Sequence, residues 1–267
     1  MRFKLTLAII ASFVVAPAVA DDRRLPAQGT PARGVYVGVF GGWGVSTSTN
    51  VNQLGTAFFI EAEGGPLAVN ATGRTDSGGV GFIGAQIGYE FSHRSFVQPA
   101  FELEGFYLRT GSRSGTLNSP TDRLDEHTFD NSFSIRNSVY LASMVLSFPT
   151  LHPGMTPYIG GGIGGARVSV SGANSLQIAP PELSVNHFNS GTDSSVWTFA
   201  AQAKAGVRFA LGPHAYVFGE YRYLYVGSND QIFGNTVYPD HAPTTGWTGR
   251  FDDASYHLGA VGIGVNF

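Results

Sequence analysis

The chain has 267 residues, among them 36 glycines, 20 phenylalanines and 11 tyrosines, with 13% charged residues and no cysteine. Sixteen basic against 19 acidic residues, with no Lys/Arg cluster or stripe, argue against nucleic acid as a partner. The aromatic content argues against disorder, the glycine content against long helices, and any exported fold must hold without disulfides.

In chain order, Arg2 and Lys4 precede an apolar run from Leu5 to Val15, and Ala18-Val19-Ala20 precedes Asp21. This pattern predicts a secretory signal peptide over 1–20. The run is shorter than the roughly 20 residues of a spanning helix, and no other apolar run reaches that length. Cleavage would remove two of the 16 positive charges and leave 14 against 19, a mildly acidic chain. Residues 21–33 read as a short periplasmic lead-in and 34–267 as one domain. A membrane position for that domain requires a closed barrel, because only helices and closed barrels satisfy their backbone groups in lipid.

Period-two alternation predicts eight strands. The first, Gly34 to Ser46, sets Val35, Val37, Val39 and Trp43 against Gly38, Gly42 and Gly44, with Tyr36 and Phe40 blurring the pattern. The second runs from Gly79 to Phe91, and the third from Phe96 to Arg109 with Glu102 and Glu104 on its minor face. In the fourth, Asn131 to Pro149, apolar residues occupy both faces and the facing is open. The fifth is Met155 to Ser171. The sixth, Ser195 to Leu211, alternates Trp197 through Leu211 with Gln202, Lys204 and Arg208. The seventh, His214 to Gly227, sets Tyr221, Tyr223 and Tyr225 against Glu220 and Arg222. The eighth, Asp253 to Phe267, carries Val261, Ile263, Val265 and Phe267 on one face. Tight turns are expected near His93–Ser95, Leu151–Gly154 and Gly212–Pro213. Long polar loops are expected over Asn52–Asp76, Thr110–Asp130, Gly172–Ser194 and Ser228–Asp252. An even number of antiparallel strands joined alternately by short and long connections predicts an all-β, eight-stranded, up-and-down transmembrane barrel.

The segments GVYVGVFGGWG (34–44), TPYIGGGIGGARV (156–168), VFGEYRYLYVG (217–227) and LGAVGIGVNF (258–267) resemble the small bacterial outer-membrane β-barrel family of opacity-like proteins, surface antigens and OmpA-type transmembrane domains. The resemblance implies residence in the outer membrane of a Gram-negative bacterium and contact with its lipid. It also implies assembly by the barrel assembly machinery through terminal Phe267, and a structural or surface-interaction role with a host or environmental ligand at the long loops. A narrow ion-conducting channel and a barrel-type hydrolase are the alternatives.

Taken at face value, the alternation turns Glu102, Glu104, Lys204, Arg208, Glu220 and Arg222 into the lumen as a charge network. Trp43, Tyr107, Trp197, Tyr225 and Tyr256 are expected to form interfacial girdles. The glycines Gly160-x-Gly162-x-x-Gly165 match a dinucleotide fingerprint on paper, but strand continues where that fingerprint needs a helix. The seven histidines, His93, His127, His152, His187, His214, His241 and His257, show no metal-ligand spacing, and nearly all read as surface residues. The aspartates Asp230, Asp240, Asp252 and Asp253 lack an EF-hand pattern. Ser255 and His257 share a strand face without a third orienting group. The sequence therefore assigns no catalytic, cofactor or metal residue.

Overall fold

The computed structural model describes residues 34–91, 96–119, 127–149 and 154–267. The expected signal peptide and lead-in lie outside these residues, as do the turns around His93–Ser95 and Leu151–Pro153.

Among the described residues thirteen strands form: β1 (Val35–Ser46), β2 (Asn50–Phe58), β3 (Pro66–Arg74), β4 (Gly78–Glu90), β5 (Gln98–Ser119), β6 (His127–Ser147), β7 (Met155–Ala179), β8 (Pro181–Asn186), β9 (Ser194–Ala210), β10 (Ala215–Val226), β11 (Asn229–Phe233), β12 (Trp247–Phe251) and β13 (Ala254–Asn266). Eight of them close a ring in the order β1-β4-β5-β6-β7-β9-β10-β13 and back to β1, every pair antiparallel. These are the eight strands read from the sequence, and the closed ring leaves no edge to satisfy in lipid. Gly34 and Phe267 sit at the end that carries the short connections; the other end carries the long ones.

At that second end the structure departs from the expected loops. A tilted strand crosses the hydrocarbon in about 9–11 residues, whereas β5, β6 and β7 have 22, 21 and 25 residues. Their surplus stands clear of the membrane and templates further pairing. β3 joins the upper part of β5 at Thr72↔Asn118, β2 pairs β3, β12 pairs β2, β11 pairs β12, and β8 pairs β7. Pro180 and Pro181 lie at the β7–β8 corner, which suits a short edge strand that need not donate to a central ladder. The gap left between β8 and β11 is bridged by Gly234 N–H donating to Gly191 O at 2.8 Å. Three of the expected loops are thus largely β-structure, and the fourth contributes the short strands β11 and β12 around an irregular segment; together they make a cap built on the barrel. Register shifts between Arg109 and Ser112 and between Ser132 and Ser134 fall where ring becomes cap, as bulges do where strands bend.

Side-chain facing is that of a protein solvated by hydrocarbon. Val39, Ile83, Ile87, Leu103, Met144, Ile163, Phe199, Val261 and Ile263 are exposed on the outer face of the ring. The outward apolar run ends at Arg109, Arg136 and Arg167, exposed residues on three adjacent strands. An arginine at the bilayer midplane costs about 2–4 kcal/mol, so these three mark the border of the hydrocarbon. Trp43, Tyr107 and Trp197 point outward and Tyr225 is half-buried, as a girdle requires. Tyr256 does not: it faces the lumen, buried, and its hydroxyl accepts from Asn137 Nδ2 at 2.8 Å.

Inside the ring, large aromatic side chains lie across glycines. A Cβ on Gly264 would come within 2.3 Å of the Tyr216 ring and one on Gly88 within 2.3 Å of the Tyr36 ring. The glycine-rich face read from the sequence is therefore the bed for luminal aromatics, which also explains why Tyr36 and Phe40 share that face. The fourth predicted strand, now β6, resolves the same way: Tyr140 and Met144 face lipid, while Val139, Leu141 and Val145 fill the lumen.

Candidate functional site

Two places gather polar chemistry, the lumen of the ring and the interior of the cap. In the lumen, period two puts Glu102 and Glu104 of β5, Lys204 and Arg208 of β9 and Glu220 and Arg222 of β10 on inward faces, and all six are buried. Lys204 Nζ contacts Glu102 and lies 2.9 Å from Glu104 Oε1. Arg222 Nη1 lies 2.6 Å from Glu104 Oε2, and Arg222 Nε donates to Glu220 Oε1 at 2.5 Å. The five residues form one continuous chain of charge-assisted bonds. Arg208 stands apart, toward the short-turn end, paired with Glu90 at 3.1 Å and with Tyr36, Tyr158 and Tyr216 rings 4.9–5.4 Å from its guanidinium carbon.

The remaining lone pairs are met by Tyr36 OH on Glu102 and Tyr158 OH on Glu220, both at 2.8 Å, and by Ser143 Oγ on Glu104 at 2.8 Å. Glu90 is the member that sequence reasoning left out, although it shares the face of Gln86. Above the charges, Phe40, Phe82 and Phe106 meet with centroids 6.0–6.4 Å apart, Phe106 edge-on to the other two and Phe40 tilted against Phe82. Charge layer and aromatic layer lie together across the bore, every member but the half-buried Glu90 buried. The cavity lined by inward residues above them, among Arg113, Asn137 and Tyr256, holds only about 30 Å³.

In the cap, a second apolar core forms from Val51, Leu117, Phe129, Phe133, Val170, Phe188, Phe233, Trp247 and Phe251. Polar residues run through it in partnered sets: Gln53 Oε1 accepts from Asn131 Nδ2 at 2.9 Å and from Ser175 Oγ at 3.0 Å. At its side, Glu182 of β8 meets His187 and His241, with Glu182 Oε2 at 3.4 Å and 3.3 Å from their Nε2 atoms. Among the described residues this is the one group of three metal-binding side chains. The His187 imidazole, with that of His241, holds the Glu182 carboxyl down to about 2, and Glu182 in turn raises His241 above the usual imidazole value. His187 is 3% exposed, an exception to the surface position expected for nearly all the histidines.

The other candidates separate. Ser255 and His257 face outward, but Ser255 Oγ pairs with Tyr223 OH at 2.8 Å and His257 Nδ1 with Tyr221 OH at 2.6 Å. Each is bonded to a tyrosine of β10, not to the other. Asp230 forms a two-point pair with Arg250 at 3.0 and 3.2 Å, and Asp252 accepts from Asn50 Nδ2 at 2.8 Å. Phe267 is 72% exposed on the lipid side, with its N–H bonded to Val35 O at 2.9 Å.

The chain whose eight antiparallel strands close this ring, apolar outside and charged inside, matches a family described as outer membrane protein beta-barrel domain over residues 5–267. The chain belongs to that family. It is an outer-membrane protein, as the sequence resemblance implied. No curated protein sequence matches it. Solved structures similar to it include the outer membrane protease OmpT from Escherichia coli, at 9% identity, covering 86% of this chain and 97% of that one, with a TM-score of 0.46. OprG from Pseudomonas aeruginosa is similar at 13% identity, covering 89% and 97%, TM-score 0.42. The attachment invasion locus protein Ail of Yersinia pestis is similar at 10% identity, covering 87% and 99%, TM-score 0.28.

Proposed function

We propose that this barrel works by contact, presenting a rigid β-built cap outside the cell as a surface-interaction element, and neither conducts nor catalyses. The observation that carries the reading is the cap itself. Its strands pair with one another over a closed apolar core, an arrangement that fixes a surface, while the bore beneath is crossed by charge and aromatic layers. Barrels of about eight strands are just wide enough for such filling. A gene deletion scored for adherence and envelope leakage together, with planar-bilayer recordings of the purified protein, tests it. Loss of adherence with an intact envelope and no current is expected. Leakage with unchanged adherence would assign an envelope-structural role, and a steady single-channel current would assign a channel.

The reading requires the cap to be extracellular. Ser119, a natural tag position for a loop, is a buried residue of β5, so a tag there would disrupt the cap. Gly65, in the β2–β3 turn with φ of +71°, faces open space: beyond its two chain neighbours, no atom lies within 4 Å of the position a Cβ would take. An epitope inserted at Gly65 should be stained on intact cells; staining only after permeabilisation would reverse the orientation and end the proposal.

Assembly is assigned to Phe267. Its side chain touches lipid rather than core, so Phe267→Ala should cost little folding stability. Outer-membrane levels should nevertheless fall several-fold, because the machinery reads that residue. Equal levels of the variant and the parent would remove Phe267 from that role.

A further inference from the structure

We propose that Glu182, His187 and His241 form a divalent transition-metal site, best suited to zinc, that clips the β8 corner to the segment joining β11 and β12. The proposal stands independently of the display reading above.

Three features of geometry carry it. The first is spacing. Ligand bonds of about 2.0–2.1 Å at the tetrahedral angle put neighbouring ligand atoms roughly 3.3–3.4 Å apart. Glu182 Oε2 lies 3.4 Å from His187 Nε2 and 3.3 Å from His241 Nε2, and all three atoms fall within 4.8 Å of one another.

The second is tautomer. His187 Nδ1 lies 2.9 Å from Ser175 O and His241 Nδ1 lies 2.7 Å from Ala242 O. A carbonyl oxygen only accepts, so each Nδ1 carries a proton, and a ring that is neutral turns its Nε2 lone pair toward the carboxylate. Acceptor then faces acceptor at both contacts, and Glu182 Oε2 has no donor. Carbonyl-oriented imidazoles are the usual outer shell of a metal-bound histidine. One extra proton on one ring relieves a single contact. Two would place two imidazolium groups side by side, with the His187 side chain only 4% exposed. One divalent cation satisfies all three ligands at once.

The third is room for a fourth ligand. The triad borders a cavity of about 50 Å³ that is also lined by His127, Gln177 and Thr244. A water needs about 10–15 Å³ of such space and polar partners, and both are present. Two imidazoles and one carboxylate with an open position are a ligand set for zinc, whereas calcium and magnesium prefer all-oxygen shells.

Glu182 precedes His187 by five residues, and His241 follows after a further 54, across β9, β10 and β11. A bound ion therefore crosslinks two excursions of the cap that, among the described residues, backbone pairing joins through the Gly191 and Ser190 contacts.

The test uses the full-length protein refolded in lipid vesicles and stripped of metal with chelator. Titration with zinc chloride by calorimetry should show one site per chain, with cobalt giving the visible absorption of four-coordinate Co(II). His241→Ala and Glu182→Gln, both at partly exposed positions that leave the cap core intact, should weaken zinc binding at least tenfold. His257→Ala, on the lipid face, should leave it unchanged. Zinc should also slow proteolysis of the cap in the parent and not in the two variants. A protease-resistant cap that takes up no zinc would overturn the proposal and leave a proton-bridged His–Glu pair. Uptake unchanged in His241→Ala and Glu182→Gln would equally overturn it, by locating the ion elsewhere.

Discussion

Replacing Arg222 by alanine should lower the unfolding stability of the barrel by about 3–5 kcal/mol, the usual cost of stranding a buried charge by removing its partner. Arg222 is fully buried, holds Glu104 at 2.6 Å and Glu220 at 2.5 Å, and stacks its guanidinium 4.0 Å from the centre of the Phe40 ring. The lumen sets the carboxylates Glu90, Glu102, Glu104 and Glu220 against Lys204, Arg208 and Arg222. Without Arg222, Glu220 loses the cation it pairs with and Glu104 keeps Lys204 alone. If the same charges stood solvated at a barrel mouth, each pair would contribute about 0–1 kcal/mol, and burial decides against that. Arg222→Lys should fall between, since it keeps the charge but loses the planar fork that serves two carboxylates. The double variant Arg222→Ala with Glu220→Ala should be less damaged than the sum of the singles, because the stranded carboxylate leaves with its partner. Urea unfolding in vesicles, followed by heat-modifiable gel mobility, measures all four. Small and additive losses would show that the luminal charges are hydrated and independent.

The ring was legible in the sequence because lipid enforces what alternation encodes. In β9, Trp197 to Leu211 marks the outer face, and parity alone delivers Gln202, Lys204 and Arg208 to the lumen. Parity was equally available for Tyr256: counted back from Phe267, every even position of β13 faces inward, Asn266, Gly264, Gly262, Ala260 and Leu258 among them. Its aromatic character suggested a girdle, and the parity was the better guide. The cap was illegible for a physical reason. Outside the membrane a strand needs no apolar outer face, and here the inner face is itself partly polar: Gln53, Asn131, Ser175 and Gln231 are buried in hydrogen bonds. Segments such as NVNQLGTAF therefore lack the contrast that marks a strand and look like loop. His187 and His241 came together through the closure of β8 and β12 onto the cap, a long-range event that no local spacing records.

The second large effect is expected at Trp247, and it separates the cap from the ring. Trp247 of β12 is 1% exposed, lies directly against Gly55 of β2 with its ring where a Cβ would stand, and donates from Nε1 to Thr236 Oγ1 at 3.1 Å. Thr236 passes the link on: its Oγ1 donates to His187 O at 3.0 Å and its backbone N–H donates to Thr244 Oγ1 at 2.8 Å. One indole thus fastens β2, β12 and the segment after β11 to the β8 corner. Truncating a buried tryptophan typically costs about 3–5 kcal/mol. Among the described residues the apolar core of the cap shares no fully buried member with the core of the ring, and Ile135 packs against both, so Trp247→Ala should open the cap and leave the ring closed. Heat-modifiable gel migration should persist, while protease cuts appear within β2, β3, β11 and β12 and amide exchange there accelerates. Trp43→Ala, which removes an outward ring from the lipid face, should change neither readout in the cap. If Trp247→Ala instead abolished the heat-modifiable band, cap and ring would fold as one cooperative unit. Unchanged protease resistance would mean that backbone pairing alone holds the cap.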